Sequence, residues 1–133
     1  MNSEATYRFV VGHHPIGGTC EPERNLSKVD DLIKKYDYQA YFSGHKHSLA
    51  FEKKDGIGYY LSGAGGDQGK QCKLNTWHKH KVYGFLRNWI EDGQLYGRFY
   101  YTKDAKSWNN HDVPSIPLEK SKKEMHNVES FLF

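Results

Sequence analysis

The sequence is poor in cysteine and proline, and it carries little excess charge of either sign. Its 133 residues include two cysteines and four prolines, and 19 Lys and Arg side chains against 16 Asp and Glu leave a net charge of +3 with histidine neutral. Such a small charge excludes the strongly basic surface that nucleic-acid-binding domains present to phosphates. No apolar run approaches the roughly 20 residues that a membrane-spanning helix needs. We therefore expect no nucleic-acid partner and no membrane span in this chain.

The two cysteines, Cys20 and Cys72, stand far apart in the chain and form no CxxC motif. Because this spacing carries no metal-binding or redox signature, we expect two unpaired thiols. A disulfide formed in an oxidising compartment and a metal-binding role are the alternatives.

Aromatic residues, in contrast, are abundant and make up 15% of the chain. This content argues against extended disorder, and a chain of this length can bury roughly two-thirds of its surface around one core. Many of the aromatic side chains stand in the later strands, at positions 59, 60, 89, 96 and 99–101. A base-stacking platform would use such residues, but packing in the core and between sheets is the interpretation that we favour.

The first third of the chain carries the pattern of a strand, a short helix and a second strand. Residues 7–12 form a β-rich run, and residues 38–43 form another. Between them, apolar residues recur at i, i+3, i+4 and i+7 from Val29, which predicts a helix over residues 28–36. Such a βαβ unit pairs its strands in parallel through a right-handed crossover.

The following segments have the alternation and turn signals of antiparallel hairpins. Residues 48–61 predict one hairpin around Asp55-Gly56, and residues 82–102 predict another around Asp92-Gly93. We assign the polar stretch over residues 67–81, which joins the two, to a loop.

The expected fold is therefore mixed α/β (α+β), with one βαβ unit followed by antiparallel hairpins over residues 1–102. From residue 103 onward the sequence is polar and contains Pro114 and Pro117. We expect residues 103–133 to be a polar C-terminal extension that lies along the surface.

Histidines follow both strands of the predicted βαβ unit. His13 and His14 come directly after the first strand, and His45 and His47 come directly after the second. Because the carboxyl ends of parallel strands meet at one edge of a sheet, these side chains should lie close together. Neutral imidazole is the commonest protein ligand for zinc, iron, copper and nickel. The sequence thus predicts that His13, His45 and His47 converge on one metal ion or on two adjacent ones.

A second pair of alternating histidines, His78 and His80, stands in the predicted loop beside several lysines. We assign this pair to a solvated basic surface. The glycine-rich stretch at 62–66 could similarly be taken for a phosphate-binding loop, but it opens no apolar helix and lacks the Lys-Ser/Thr of a P-loop.

Three motifs in fixed order resemble a known family. GHHP at 12–15, GHKH at 44–47 and LSGAG at 61–65 are similar to the C-terminal half of a calcineurin-like metallophosphoesterase, in the branch of the purple and tartrate-resistant acid phosphatases. The resemblance spans residues 9–65 in good register and continues more loosely to residue 102. It implies a β-sandwich of two mixed sheets flanked by helices, of which this chain supplies about half. It also implies that the stretch at 62–66 ends a strand near the metal site, where its small residues allow close packing.

The resemblance also implies a function and a set of ligands. The family hydrolyses phosphomonoesters at a dinuclear metal centre that holds iron together with iron, zinc or manganese. By position, His13 and His45 correspond to ligands of the second, divalent metal, and His47 corresponds to a ligand of the first metal, usually ferric iron. His14 occupies a variable position, where it would orient the loop or face the pocket.

The sequence departs from the family pattern in two respects. The remaining ligands of the family, two Asp and the Asn of a GNH motif, lie in its N-terminal half, and none of those motifs occurs here. We therefore expect this chain alone to be inactive, and its metal centre can stay empty. The loop over residues 16–25 also lacks the substrate-facing His of the phosphatases, which leaves His14 and Arg24 as candidates for a catalytic role.

Two further interpretations stay open beside the phosphatase. The parent protein can be a degenerate phosphatase fold that serves as a non-enzymatic scaffold or anchor, or this half-domain can bind metal and self-associate. The expected partners are accordingly a phosphomonoester substrate and, covering the exposed sheet, either the N-terminal half of the same domain or a second copy. The resemblance implies a secreted or endomembrane protein, although residues 1–8 show no signal peptide.

Overall fold

The computed structural model describes residues 7–20 and 26–118. Within these ranges it contains one helix and eight strands. In chain order they are β1 (Phe9–Val11), α1 (Leu26–Lys35), β2 (Ala40–Ser43), β3 (Leu49–Lys54), β4 (Ile57–Ser62), β5 (Trp77–Lys79), β6 (Tyr83–Glu91), β7 (Gln94–Thr102) and β8 (Asn109–Pro117).

The predicted βαβ unit is confirmed. Strands β1 and β2 pair in parallel, with Phe9 opposite Ala40 and Val11 opposite Phe42. Helix α1 begins two residues earlier than predicted and buries Ile33 against the aromatic residues of the sheet. Lysines occupy its last turn, where positive charge interacts favourably with the helix dipole.

The strands form two sheets. The first has five strands in the order β1-β2-β4-β3-β5, with parallel pairing between β1, β2 and β4 and antiparallel pairing beyond. The second is an antiparallel sheet of three strands in the order β6-β7-β8. One apolar cluster joins the two, since it includes Phe51 and Tyr60 of the first sheet and Phe99 and Ile116 of the second. The expected mixed α/β fold is therefore confirmed.

The expected surface extension from residue 103 is wrong over Asn109–Pro117, which form the edge strand β8. Val113 and Ile116 of this strand are buried in the core between the sheets. The sequence does not reveal this strand because its register with β7 shifts. Leu95 and Gly97 of β7, two residues apart, pair with Ile116 and Val113 of β8, which are three residues apart. Such a bulge breaks the two-residue alternation by which a strand is recognised.

The expected loop over residues 67–81 also contains a strand, the short β5. It pairs with β3 at the edge of the first sheet, with Trp77 opposite Phe51. A strand of only three residues is too short for alternation to be visible.

The remaining residues of the expected extension, 119–133, and the candidate Arg24 lie outside the described residues.

The aromatic residues divide between the core and an outer face. Tyr59, Tyr60 and Phe99 are buried, as expected. The expectation of core packing is wrong for Trp89, Tyr96 and Tyr100, which project from the far side of the second sheet and stack on neighbours there. These pairs are Trp89 on Tyr96 and Phe85 on Tyr100.

The expectation of two free thiols is wrong, because Cys20 and Cys72 form a disulfide with their Cα atoms 5.0 Å apart. The two cysteines, 52 residues apart in sequence, pack in one cluster with Ala50 of β3 and Leu61 of β4. Hydrogen bonds hold the two segments that contain them. The Thr19 amide donates to the Lys73 carbonyl, and the Lys73 amide donates to the Thr19 hydroxyl, each at 2.8 Å.

In the described ranges, no helix has the length and apolar character to cross a membrane.

Candidate metal centre

The loops after β1 and β2 lie side by side at the carboxyl edge of the parallel strands. The Gly12 amide donates to the Phe42 carbonyl and the Gly44 amide donates to the His13 carbonyl, both at 2.9 Å. The sheet hydrogen bonding thus continues past the ends of the strands. Since the backbones are fixed in this way, the histidines that follow each strand must project close to one another.

Close packing requires two of the glycines here. A Cβ atom at Gly12 would overlap the hydroxyl of Tyr41, and a Cβ atom at Gly63 would overlap the carbonyl oxygen of Lys46. The space at Gly12 lets the buried Tyr41 side chain pass beneath the first loop. Its hydroxyl donates a 2.6 Å hydrogen bond to the His14 carbonyl. Gly63 lets the end of β4 pack against the second loop, in agreement with the packing role expected for residues 62–66.

Three imidazoles converge at this edge. The ligand nitrogens of His13, His14 and His45 all lie within 4.8 Å of one another. Nδ1 of His45 and Nε2 of His13 are 3.2 Å apart. The structure therefore brings two of the three predicted ligands together and adds His14, which the sequence offered as an orienting, pocket-facing or catalytic residue but not as a ligand.

The environment of His45 favours a neutral ring. The backbone of His45 also adopts the left-handed conformation, with φ 64°, which is uncommon for a residue other than glycine and is often found at functional sites.

The pKa of His45 lies below its ordinary value, first because of partial desolvation and then because of repulsion from the neighbouring His14 and His13 and from two lysines. A neutral imidazole has the lone pair that a metal ligand needs.

His47, the third predicted ligand, is not among the three clustered imidazoles and lies instead beside Asp67. Its Nδ1 is 3.6 Å from a carboxylate oxygen of Asp67, which is too long for a hydrogen bond. This nitrogen is buried and makes no hydrogen bond with the described part of the chain. Nδ1 of His47 is therefore available to bind a metal ion or another bound group.

Asp67 is the residue at this edge that the sequence did not single out. Amide hydrogen bonds from Gly69 and Gln68 hold the pKa of its carboxyl below the ordinary value, so it carries a negative charge. No motif marks it, because its place beside His47 depends on how the loop after β4 folds. The second alternating pair, His78 and His80, is not part of the histidine cluster. Nε2 of His80 instead lies 3.0 Å from the Cys72 carbonyl oxygen.

The clustered side chains fit a divalent transition metal. They offer nitrogen donors only, and among the described residues no carboxylate or thiolate joins them. Zinc and the metals near it bind well to imidazole, whereas a dinuclear centre also needs a bridging ligand. The arrangement can therefore hold one ion, and a second ion would require residues beyond this set.

The two-sheet architecture and the histidine loops at the parallel edge define a metallophosphoesterase fold. GAP50 and Vps29 are among the solved structures that share it. GAP50, described as the anchor in the inner membrane complex of Plasmodium, aligns with a TM-score of 0.68 at 19% identity over 91% of this chain and 39% of its own. Vps29 of Entamoeba histolytica complexed with Zn2+ aligns with a TM-score of 0.52 at 19% identity over 77% of this chain and 51% of its own.

The more particular similarity is to the acid phosphatases of this class, and the resemblance seen in the sequence is confirmed. Tartrate-resistant acid phosphatase type 5 of Rattus norvegicus is 35% identical over 102 residues, 73% of this chain. The enzyme of that name from Mus musculus is 38% identical over 86 residues, 61% of the chain. Purple acid phosphatase 7 of Arabidopsis thaliana is 24% identical over 90% of the chain.

This chain spans only part of those relatives, 30% of the rat enzyme and 36% of the Arabidopsis enzyme. No family model matches the sequence. The similarity therefore concerns one portion of an acid-phosphatase-like fold.

Proposed function

We propose that this chain is the C-terminal part of an acid-phosphatase-like domain that hydrolyses phosphomonoesters at a dinuclear metal centre. The observation that carries the proposal is the convergence of His13 and His45 at the carboxyl edge of two parallel strands, with 3.2 Å between their facing nitrogens. In this proposal His13 and His45 bind one metal and His47 binds the other.

Each part of the site has a distinct task. The imidazoles would hold the ions, which, when bound, supply Lewis-acid polarisation of the phosphoryl group and offset the charge on its oxygens. The carboxylate of Asp67 stands next to His47, where it would help to fix the orientation of that ring. Arg24, outside the described residues, stays a candidate for contacting the phosphate.

The rest of the domain would cover the open edge at β1. This strand pairs only with β2 among the described strands. Its side chains Phe9 and Val11 are exposed, and Val11 is 80% exposed. An open edge with apolar side chains is a surface on which further strands add. We propose that the segment with the missing carboxylate and Asn ligands docks here, and that a second copy of the chain can occupy the same edge when that segment is absent.

Paired assays test this proposal. The 133-residue chain and the longest gene product that contains it are each loaded with iron and zinc, and p-nitrophenyl phosphate hydrolysis is measured. We expect turnover from the longer protein only, its loss in the His45→Ala variant, and no change in the matched control His78→Ala. Turnover by the chain alone would contradict the expected inactivity. A metal-loaded longer protein without turnover would refute the phosphatase proposal.

A second candidate function is a non-enzymatic anchor. What favours it is the alignment with GAP50 over 91% of the chain, together with a loop at residues 16–20 that offers no histidine to a substrate. The same assay separates the two candidates, because an anchor predicts a folded longer protein without hydrolysis. Sequence upstream that lacks the two Asp and the GNH Asn would support the anchor.

We also propose that the protein resides in an oxidising compartment, either secreted or within the endomembrane system. The Cys20–Cys72 disulfide supports this, since such bonds persist in extracellular and lumenal proteins. Mass spectrometry of protein isolated from its native source, alkylated before digestion, should find the two cysteine peptides joined. Recovery of both as alkylated thiols would contradict the assignment.

A further inference from the structure

His14 lies against two predicted metal ligands although the family resemblance gives it no ligand role. Its ring centroid is 4.8 Å from that of His13 and 4.3 Å from that of His45. We propose that His14 is a third ligand and that this chain alone binds one divalent ion of the zinc class through three imidazoles. The inference deepens the proposed function, on which it rests for the roles of His13 and His45.

The spacing of the nitrogens supports a shared ion. Zinc bound to nitrogen at about 2.0–2.1 Å in a tetrahedron keeps its ligand atoms about 3.3 Å apart. The observed 3.2 Å between Nδ1 of His45 and Nε2 of His13 matches this separation. One nitrogen each of His13, His14 and His45 lies within 4.8 Å of the other two, so no pair in this set has to close by more than about 1.5 Å to reach the tetrahedral separation.

The backbone around the three rings is already fixed. The buried hydroxyl of Tyr41 holds the His14 carbonyl, and the Gly44 amide holds the His13 carbonyl next to His45. Binding would therefore order side chains without reorganising the loops, which lowers its entropic cost. Three imidazoles also leave a fourth tetrahedral position open to water or a substrate oxygen, as in catalytic zinc sites.

A direct hydrogen bond between His13 and His45 would explain their short distance without any metal. It requires one ring to donate and the other to accept, and it gives no role to His14. Dependence on His14 therefore distinguishes a three-imidazole site from a simple histidine pair.

The test uses the full 133-residue chain freed of metal by a chelator. Calorimetric titration with Zn2+ and absorption spectroscopy with Co2+ should show one ion bound per chain. His14→Ala should weaken binding by at least about 10–100-fold, the loss that removal of even an outer-shell partner causes. The matched control His78→Ala, which removes an imidazole on β5, should bind as the unmodified chain does.

Equal affinity in the His14→Ala variant and the unmodified chain overturns the role of His14 but leaves the phosphatase proposal intact. Failure of the unmodified chain to bind either ion overturns the three-imidazole site, and hydrolysis by the longer protein then judges the proposed function separately. Should the variant fail to fold by circular dichroism, X-ray absorption of the zinc-loaded His47→Ala variant still decides, because His47 is the other predicted ligand and cannot then supply the third imidazole. Three imidazoles in the shell support the proposal, and two overturn it.

Discussion

The hydroxyl of Tyr41 on β2 donates a 2.6 Å hydrogen bond to the main-chain carbonyl of His14 in the loop after β1. Tyr41 is 2% exposed, so this bond connects the buried face of the sheet to the histidine cluster. Tyr41, which is not itself a ligand, therefore helps to fix the loop that carries His14.

Removing this hydroxyl should loosen the loop. We expect Tyr41→Phe to lower the free energy of unfolding by about 0.5–1.5 kcal/mol, because the His14 carbonyl loses this donor. Urea unfolding followed by fluorescence measures the change. Tyr83→Phe, at an exposed position on β6, is the control and should leave the midpoint unchanged. Equal stability of both variants would mean that the bond contributes nothing.

Two neighbouring glycines form a matched pair for testing close packing. A Cβ at Gly63 would overlap the backbone carbonyl of Lys46 in the second histidine loop, whereas a Cβ at Gly65 meets nothing within 4 Å. We expect Gly63→Ala to cost about 1–3 kcal/mol of unfolding free energy, as overpacked sites do, and Gly65→Ala to stay within about 0.5 kcal/mol. Thermal unfolding of the two variants compares them directly. A similar effect of both substitutions would contradict the role of Gly63.

The disulfide should contribute substantially to stability. Cys20 and Cys72 close a loop of 52 residues, for which the chain-entropy relation gives about 4 kcal/mol. Replacing both cysteines by serine should therefore lower the free energy of unfolding by about 2–4 kcal/mol. Reduction of the unmodified chain should reproduce the loss, while the double variant should not respond to reductant. Full stability in the double variant would show that the other contacts between the two segments suffice.

The buried tyrosines predict a loss of stability at alkaline pH. Burial raises the pKa of Tyr41, Tyr59 and Tyr60 above the ordinary 10.0, and a hydrogen bond to Asp30 adds to the effect for Tyr59. A group whose pKa is raised by folding contributes stability that is fully present below its unfolded pKa, here about 10, and is lost as the pH rises through the folded value.

We therefore expect the free energy of unfolding to fall as the pH rises above about 10, where the unfolded chain ionises its tyrosines and the folded chain does not. Ultraviolet absorbance of tyrosinate, recorded with circular dichroism, should show the three buried groups ionising together with unfolding. Their titration near the ordinary pKa in a protein that stays folded would contradict the assigned burial.

The elements that the sequence predicted well have strong local periodicity. The helix expected over residues 28–36 is found at Leu26–Lys35, and the hairpin expected over residues 82–102 is found as β6 and β7. Strand β8 was missed because its register with β7 shifts, so that its inward residues do not alternate. Strand β5 was missed because three residues at a sheet edge carry almost no pattern.

The sequence predicted where the histidines come together, but only some of the residues that do so. The motifs placed His13 and His45 at one sheet edge, since strand order and parallel pairing follow from the βαβ pattern. They could not show that the ring of His14 turns toward His45, or that Asp67 rather than a clustered imidazole lies beside His47. Those contacts depend on loop backbones that no short-range pattern specifies.

The sequence by itself determined the βαβ unit, the hairpins and the resemblance to acid phosphatases, because these reside in local periodicity and in motifs of fixed spacing. Only the tertiary structure decided that Cys20 and Cys72 are bonded and that His13, His14 and His45 form the cluster. The disulfide joins loops that are 52 residues apart in the chain, and the entry of His14 into the cluster depends on a loop conformation that no local pattern specifies.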